Sequence, residues 1–420
     1  MGQTVRELAE LAKQASVSMG TTTGEQRNAA LFAMAKALRQ DASKIIAANE
    51  ADMAAARDKG TPAPLLDRLM LNEQRIESMA CALESLAALS DPLGNIQQER
   101  VLDSGVSLQR VSVPMGVVAM VYEARPNVTA DAAGICVKTG NACILRGGSL
   151  AINSCLAIAD SLAEAAVFAG MPENCICPVR TTDRAATDEL LRMRGLVDLL
   201  IPRGGAGLIR NCVENATVPV IETGVGNCHV YIHEPADMQM ALNIVMNAKT
   251  QRPGVCNAIE SLLVDESIAG DVLPVVLPAL SAAGVVIHGD ASCVSCGADS
   301  GVAVIPATEE DWGTEYLDLE ISVKTVSGVD EAIAHINRYC TRHSECIVTD
   351  DESAAEKFLA QIDASSVYWN ASTRFTDGGE FGLGAEIGIS TQKLHARGPF
   401  ALEALCSYKY ILRGTGQVRG

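Results

Sequence analysis

Aromatic residues and positive charge are both scarce in this sequence. Phenylalanine, tryptophan and tyrosine make up 4% of its 420 residues, and 33 lysines and arginines stand against 51 aspartates and glutamates, giving a formal net charge of −18. Since binding to a phosphate backbone needs a basic surface, we predict no nucleic-acid partner. The 48% of hydrophobic residues and the 35 glycines are instead typical of a folded α/β protein with more than one domain.

Long apolar runs are also missing. The most apolar stretch, residues 272–287, is interrupted by Pro274, Pro278 and Ser281, so it is not predicted to span a bilayer. Residues 1–10 lack the apolar centre of a signal peptide, and position six is not the serine or threonine of a myristoylation signal. We therefore expect a cytoplasmic protein without a membrane partner, whose 14 cysteines are reduced.

Several ligand-binding motifs are absent as well. Residues 205–210 and 224–229 each lack the third glycine of the dinucleotide fingerprint, and the phosphate-binding Walker sequence does not occur. Cys293 and Cys296 have the spacing of a metal-binding pair, but no second pair of cysteines or histidines follows at the distance found in zinc fingers. We predict no metal site, and a nucleotide would have to be held without these motifs.

Short apolar runs alternate with helical patterns from residue 116 to 222, which predicts a doubly wound parallel sheet. Ahead of it, residues 1–90 show apolar positions at three-to-four spacing, with helices expected at 4–14, 23–40 and 41–59. The strands expected in this first sheet are 116–122, 142–146, 175–179, 197–201 and 218–222, with helices at 127–138, 149–169, 183–192 and 206–213.

A second α/β domain is predicted after residue 227. Its expected strands are 228–232, 259–264, 284–288, 302–305, 322–326, 346–349 and 366–369, and its expected helices are 236–248, 330–339 and 352–361. Two further segments, 100–110 and 407–412, have the partly alternating character of strands.

Three arginines lie at or just past the ends of predicted strands of the first sheet, and two of them precede glycine pairs that open helices. Ligands of open α/β sheets bind beyond the carboxyl ends of the strands. Glycine lets a backbone approach a phosphate closely, and a helix N-terminus adds N–H donors. Each arginine alone is more often a surface charge, but together they predict an anion or dinucleotide site. The residues are Arg125, Arg146, Gly147, Gly148, Arg203, Gly204 and Gly205.

Three more residues have both a chemical and an ordinary interpretation. Cys256 lies in a turn-prone loop before an apolar run, where a thiol can act as a nucleophile, although most cysteines are small buried hydrophobes. Asn127 begins a predicted helix, where it is either an N-cap or an amide donor to an oxyanion. Glu222 ends a predicted strand, and its side chain is a base, a cofactor contact or a plain edge carboxylate.

Taken in order, these segments resemble the aldehyde dehydrogenase superfamily over about residues 111–388. Residues 123–127 (Glu-Ala-Arg-Pro-Asn) look like its oxyanion-asparagine segment, and 139–146 are similar to its Gly-Asn…Lys strand, with Arg146 in place of a ribose-contacting lysine. Residues 221–224 look like its glutamate motif and 254–258 like its nucleophile motif. Glu315 falls where a glutamate contacts the nicotinamide ribose.

Within that superfamily, residues 113–127, 198–210, 369–398 and 408–419 resemble the gamma-glutamyl phosphate reductase family. The resemblance implies an NADP-dependent acyl-phosphate reductase that converts L-glutamyl 5-phosphate to L-glutamate 5-semialdehyde in the second step of proline biosynthesis. It also implies a homo-oligomer (dimer or tetramer), and we expect an association with glutamate 5-kinase. The implied regions are a cofactor domain (1–97 and 116–227), a catalytic domain (228–375), an oligomerisation element (98–115 and 400–420) and a return segment (376–399).

The resemblance implies that Cys256 forms a thioester, with its backbone N–H and the Asn127 amide around the oxyanion. Arg125 and Arg374 are the expected cations for substrate, Asn370 is a further polar contact, and His343 is either a substrate contact or part of a turn. Glu222 is a base or an ordering residue. Two alternatives stay open: another thiol-dependent aldehyde or acyl-phosphate dehydrogenase, and a non-catalytic nucleotide-binding scaffold.

Overall fold

The structure is a computed structural model and describes residues 4–419. Its helices are α1 (Val5–Met19), α2 (Gly24–Gln40), α3 (Ala42–Asp58), α4 (Ala63–Leu69), α5 (Glu73–Ala88), α6 (Asn127–Lys138), α7 (Ile152–Phe168), α8 (Arg184–Leu191), α9 (Ala206–Asn215), α10 (Met238–Thr250), α11 (Ala269–Ala282), α12 (Ala291–Ser300), α13 (Val329–Tyr339) and α14 (Glu352–Gln361).

The strands alternate with these helices over most of the chain. They are β1 (Ile96–Val101), β2 (Ser107–Pro114), β3 (Val117–Tyr122), β4 (Ala142–Gly147), β5 (Ile176–Pro178), β6 (Leu199–Arg203), β7 (Cys228–Ile232), β8 (Ile259–Asp265), β9 (Val286–Gly289), β10 (Val304–Pro306), β11 (Glu320–Val326), β12 (Ser344–Val348), β13 (Ser366–Trp369), β14 (Gly388–Ser390), β15 (Gly398–Phe400) and β16 (Cys406–Arg413).

The first helices begin where local side chains satisfy the exposed N–H groups. The Thr4 hydroxyl accepts a hydrogen bond from the Glu7 N–H, and the Glu7 carboxylate accepts one from the Thr4 N–H, which forms a capping box. Thr23 and Gln26 repeat this arrangement at α2. The helices expected at 4–14, 23–40 and 41–59 are confirmed, and the first continues to Met19.

Unit 1 consists of the described residues up to Thr223, Leu383–Ile387 and the segment from Phe400. Its parallel sheet has the order β5-β4-β3-β6, and every residue of β3 and β4 is buried. Strands buried on both faces need helices on both faces, which is the doubly wound arrangement that the sequence predicts. The predicted fold class is therefore confirmed.

The strand predicted at 218–222 is wrong. This segment makes one isolated parallel bridge, between Val220 and Leu200. Pro219 contributes its carbonyl to the Leu200 N–H but has no N–H of its own, so it cannot continue a ladder.

A separate antiparallel sheet of unit 1 has the order β1-β2-β16, with Tyr408 opposite Ser112. It brings together the two segments expected to form an oligomerisation element, and that role stays a prediction.

Unit 2 consists of Gly224–Gly382 and Gly388–Pro399. Its parallel sheet has the order β10-β9-β11-β8-β7-β12-β13, which agrees with the predicted second α/β domain. Two helices were missing from the prediction, α11 and α12. Helix α11 contains Pro274 and Pro278, which lie away from its buried face, where water can reach the carbonyls that lose an amide donor. None of the helices in residues 4–419 is long and apolar enough to cross a membrane.

Candidate active site

The predicted arginines of unit 1 meet at the carboxyl edge of its parallel sheet. Arg146 pairs in register with Val121, and Arg203 pairs with Tyr122, on the two strands that flank β3. Arg125 follows β3 by three residues and lines the same small pocket as Arg203. The register therefore brings together the positive charge that the sequence pattern predicts at this edge.

Arg146 differs from the other two because it is buried. Its Nη2 donates to the backbone oxygens of Thr182, at 3.1 Å, and Asp183, at 3.4 Å, so the guanidinium holds the loop ahead of α8. Loss of water lowers the pKa of Arg146 from its ordinary value. The expected ribose contact stays a prediction, and in this structure the side chain is already engaged with the loop.

The surroundings of the two glycine pairs leave little room for a side chain. A Cβ on Gly148 would lie 3.3 Å from the Tyr122 oxygen, and one on Gly204 would lie 2.5 Å from the Glu123 carboxylate. The same carboxylate accepts a hydrogen bond of 3.1 Å from the Gly205 N–H at the start of α9. An anion does occupy this helix terminus, but it is the protein's own Glu123 carboxylate.

Asn127 is the first residue of α6, and Pro126 stands at the N-cap, so the N-cap interpretation of Asn127 is wrong. Its Nδ2 donates to Oδ2 of Asp131 at 3.2 Å. These two residues, together with Arg125, Arg203 and Glu386, line a pocket of about 50 Å³ in unit 1. Burial raises the pKa of Asp131 to about 6, against the smaller lowering effects of Asn127 and Arg203.

The loop that carries Cys256 is fixed through its backbone. A Cβ on Gly226 would lie 1.6 Å from the Cys256 oxygen, so glycine alone fits at this contact. The Cys228 thiol donates to that same oxygen at 3.1 Å. Glu315 holds the segment before β7, because its Oε1 accepts a hydrogen bond of 2.5 Å from the Gly226 N–H. Cys256 is partly exposed and is in no disulfide.

Asn257 joins the same loop to the 3₁₀ turn Thr373–Phe375. Its Nδ2 donates to the backbone oxygens of Arg374, at 3.3 Å, and Thr376, at 2.9 Å, while Thr373 Oγ1 donates to the Asn257 oxygen at 2.7 Å. Burial and the charge of Arg252 lower the pKa of Arg374, whose positive charge also interacts with the Cys256 thiol. The contacts of Asn257 therefore keep a cation close to the predicted nucleophile.

Known proteins match the chain over its whole length. The family model described as the aldehyde dehydrogenase family matches residues 2–297. The gamma-glutamyl phosphate reductase of Moorella thermoacetica is 54% identical over 422 residues, covering 100% of this chain and 97% of the relative, and that of Caldanaerobacter subterraneus is 53% identical over 413 residues, or 98% of each. The chain belongs to the gamma-glutamyl phosphate reductase family, within the aldehyde dehydrogenases.

A solved structure agrees with this membership. The crystal structure of the gamma-glutamyl phosphate reductase from Thermotoga maritima is 46% identical, covers all of both chains and has a TM-score of 0.97. The predicted family, the aldehyde dehydrogenase-like fold and the enzyme class are confirmed. The non-catalytic scaffold is therefore set aside.

In this member of the gamma-glutamyl phosphate reductase family, His343 lies in the interior of unit 2, and its contact with substrate stays a prediction. It is fully buried, its Nδ1 lies 2.8 Å from Ser344 Oγ, and burial lowers its pKa to about 4. The interpretation as part of a turn fits these contacts.

Asn370 makes two hydrogen bonds of 2.9 Å with the backbone of Thr349. Its side-chain oxygen accepts from the Thr349 N–H, and its side-chain nitrogen donates to the Thr349 oxygen. Its contact with substrate stays a prediction.

Glu222 lies between the bridge at Val220 and Thr223, whose hydroxyl donates to the Pro202 oxygen at 3.3 Å. It is half-buried, and its role as a base or an ordering residue stays a prediction. Residues 222–226, Glu-Thr-Gly-Val-Gly, resemble the Glu-Leu-Gly-Gly-Lys motif of the superfamily but end in glycine. The contact between Gly226 and the Cys256 oxygen explains that glycine.

Proposed function

We propose that this chain catalyses the NADPH-dependent reduction of L-glutamyl 5-phosphate to L-glutamate 5-semialdehyde and phosphate through a thioester on Cys256. The overall reaction follows from membership of the gamma-glutamyl phosphate reductase family over the full length. The observation that supports Cys256 is its fixed loop. The backbone oxygen of Cys256 packs against Gly226 and accepts a hydrogen bond from the Cys228 thiol, and the charge of Arg374 acts on Cys256.

The proposed chemistry uses the Cys256 thiolate and a bound nicotinamide cofactor. The Cys256 thiolate forms a bond to the acyl carbon, and the bond from that carbon to the phosphate oxygen breaks, releasing inorganic phosphate. We propose the Asn127 amide and the Cys256 N–H as donors to the developing oxyanion, a kind of donor whose loss typically costs about 10²–10³ in rate. Arg125 and Arg374 are the proposed cations for the phosphate and the α-carboxylate. NADPH, when bound, supplies the hydride that reduces the thioester, and the aldehyde and thiolate then separate.

Members of the aldehyde dehydrogenase family use nicotinamide cofactors. The carboxyl edge of the unit 1 sheet fits such a group where Arg203 ends β6 and where Gly148 leaves the backbone without a side chain. The start of α9 fits less well, since Glu123 accepts from the Gly205 N–H there. We therefore propose Arg203, Gly147, Gly148 and Gly204 for the dinucleotide, with Glu315 for the nicotinamide ribose and Arg146 supporting the loop ahead of α8.

We also propose a homo-oligomer formed through the β1-β2-β16 sheet. Every residue of β1 is exposed, and Tyr408, Tyr410 and Leu412 on β16 are each about half exposed, at 46%, 52% and 56%. Exposed apolar side chains on a sheet are typical of an interface. Light scattering on the purified chain tests this proposal, and a monomer at micromolar concentration would contradict it. Association with glutamate 5-kinase stays a prediction.

The reverse reaction tests the function. NADP⁺ reduction is followed by absorbance with glutamate 5-semialdehyde, with and without inorganic phosphate, for the wild type and for Cys256→Ala. We expect phosphate-dependent turnover that Cys256→Ala abolishes while NADPH still binds. Turnover without phosphate would mean that water resolves the thioester, and activity only with a different aldehyde would overturn the substrate.

A further inference from the structure

A pair of polar side chains in unit 1 shares one face of α6. Asn127 and Asp131 are four residues apart, the spacing that brings helical side chains together. Nδ2 of Asn127 donates to Oδ2 of Asp131 at 3.2 Å. Asn127 is exposed at the start of the helix, whereas Asp131 is half-buried beneath it. Both line the small pocket that Arg125 and Arg203 also line.

The direction of this hydrogen bond determines what Asn127 can offer to a ligand. A side-chain amide has an oxygen that accepts and an NH₂ group with two donors, and the two ends are nearly equal in shape. An ionised carboxylate only accepts, so it selects the NH₂ end and uses one of its two hydrogens. The second hydrogen stays available to an oxyanion.

We propose that Asp131 is a positioning residue for the reductase reaction, which orients the Asn127 amide so that its NH₂ group, and not its oxygen, serves the oxyanion. The proposal rests on the function proposed above, in which Asn127 is an oxyanion donor. The sequence alone does not single out Asp131, because an aspartate four residues into a helix is ordinarily a solvated side chain.

The surroundings of Asp131 make this orientation sensitive to pH. Arg203 faces the pocket from β6, Arg125 from the segment after β3 and Glu386 from the segment 383–387, while Asn127 lies on the same helix. Burial of the carboxyl is the main cause that raises the pKa of Asp131 to about 6. A protonated carboxyl can donate to the Asn127 oxygen, which would turn the NH₂ group away from its working position. We therefore expect turnover to fall on the acid side, with a midpoint near pH 6.

Thermal stability distinguishes a positioning role of Asp131 from a merely structural one. The pKa of Asp131 is higher in the folded chain than the ordinary value of 3.8, so the native state binds this proton more tightly than the unfolded state does. By linkage, the ionised carboxylate lowers stability as the pH rises through the range from 3.8 to about 6. Replacing it with a neutral isostere should therefore leave Tm at pH 7.5 unchanged or higher, whereas loss of a structural contact would lower it.

The experiment compares Asp131→Asn, Asn127→Ala, the double variant and the control Asp58→Asn, an exposed aspartate on α3. Each variant is measured in the reverse reaction for kcat and KM between pH 5 and 9, and for Tm at pH 7.5. We expect Asp131→Asn to lower kcat by about 10–100-fold, with KM changed less than about threefold, and to remove the acid limb near pH 6. The double variant should be no slower than Asn127→Ala, since both changes act on one interaction.

The outcomes are separable from failure of the proposed function. If the wild type is inactive, or if Cys256→Ala keeps its activity, the proposed function fails before Asp131 is considered. If the wild type is active but Asp131→Asn matches Asp58→Asn in kcat and keeps the acid limb, the positioning role is overturned. A loss of kcat that multiplies with that of Asn127→Ala would also overturn it, because Asp131 would then act independently of Asn127.

Discussion

The Cys256 loop of unit 2 is fixed through its backbone, whereas Asn127 of unit 1 is fixed through its side chain. Around Cys256, the contacts reach main-chain oxygens of residues 256 and 257, from Cys228, Gly226 and Thr373. Asn127 depends on one hydrogen bond to a half-buried carboxylate. Backbone contacts of this kind do not change with protonation, so the first region should be sensitive to added volume and the second to pH.

The largest effect should come from adding a methyl group at the Cys256 loop. Gly226→Ala would put a Cβ 1.6 Å from the Cys256 oxygen, so either the loop or the segment before β7 has to move. We expect kcat to fall by about 10²-fold or more, since misplacement of a catalytic group by about an ångström costs about that much in rate. Gly270→Ala on α11 is the control, because nothing lies within 4 Å of its Cβ position. Near-normal kcat in Gly226→Ala would show that the loop is less tightly fixed than the contact indicates.

A smaller effect should follow from neutralising the cation beside the same loop. Arg374→Gln removes the charge that interacts with Cys256, while the backbone contacts of residues 374 and 376 with Asn257 can remain. We expect the KM for glutamate 5-semialdehyde to rise by about 10-fold or more and the alkylation of Cys256 by iodoacetamide to slow. Arg338→Gln is the control, since that arginine is exposed and its ion pair with Glu309 lies on the surface. Unchanged KM and alkylation rate would remove Arg374 from the site.

The smallest effect concerns how the two units respond to acid. All six histidines of the sequence lie in unit 2, and burial lowers the pKa of His343 to about 4 and of His229 and His335 to about 3. A histidine whose pKa is lowered on folding stabilises the native state above the ordinary value near 6.5, and this stability is lost as the pH falls through that value. Each such group contributes a loss of about 1–2 kcal/mol by pH 5.

Calorimetry at pH 7.5 and pH 5 tests this difference. We expect the transition of unit 2 to move to lower temperature at pH 5 by a few degrees for each of these three histidines, and the total shift to be smaller in His343→Gln. Asp131 in unit 1 has the opposite sign, since its pKa is raised on folding. Equal shifts of both units would contradict the comparison.

Sequence patterns were sufficient for most of the secondary structure and for the position of Cys256 in its loop. They failed at prolines: Pro219 interrupts the strand predicted at 218–222, whereas α11 accommodates Pro274 and Pro278 on the side away from its core. Whether a helix tolerates a proline depends on which of its faces is buried, and burial depends on the tertiary fold.

The candidate site was harder to predict because its details depend on distant pairs. The contact of Glu123 with Gly205, and that of Arg146 with the loop ahead of α8, join residues far apart in sequence. His343 had a polar sequence context but a buried position, since the strand after it is fully covered. Asp131 had a visible signal in its spacing from Asn127, but that spacing acquires meaning only when the pocket is known.

The glycine at position 226 limits how motifs can be exchanged within the superfamily. Grafting the Glu-Leu-Gly-Gly-Lys sequence of other members onto residues 222–226 would bring a lysine side chain into the volume that the Cys256 oxygen occupies. Such a graft would therefore have to replace residues 254–258 in the same step. Residues 222–226 and 254–258 therefore have to be exchanged together, and the junctions of a chimaera should lie before the first motif and after the second.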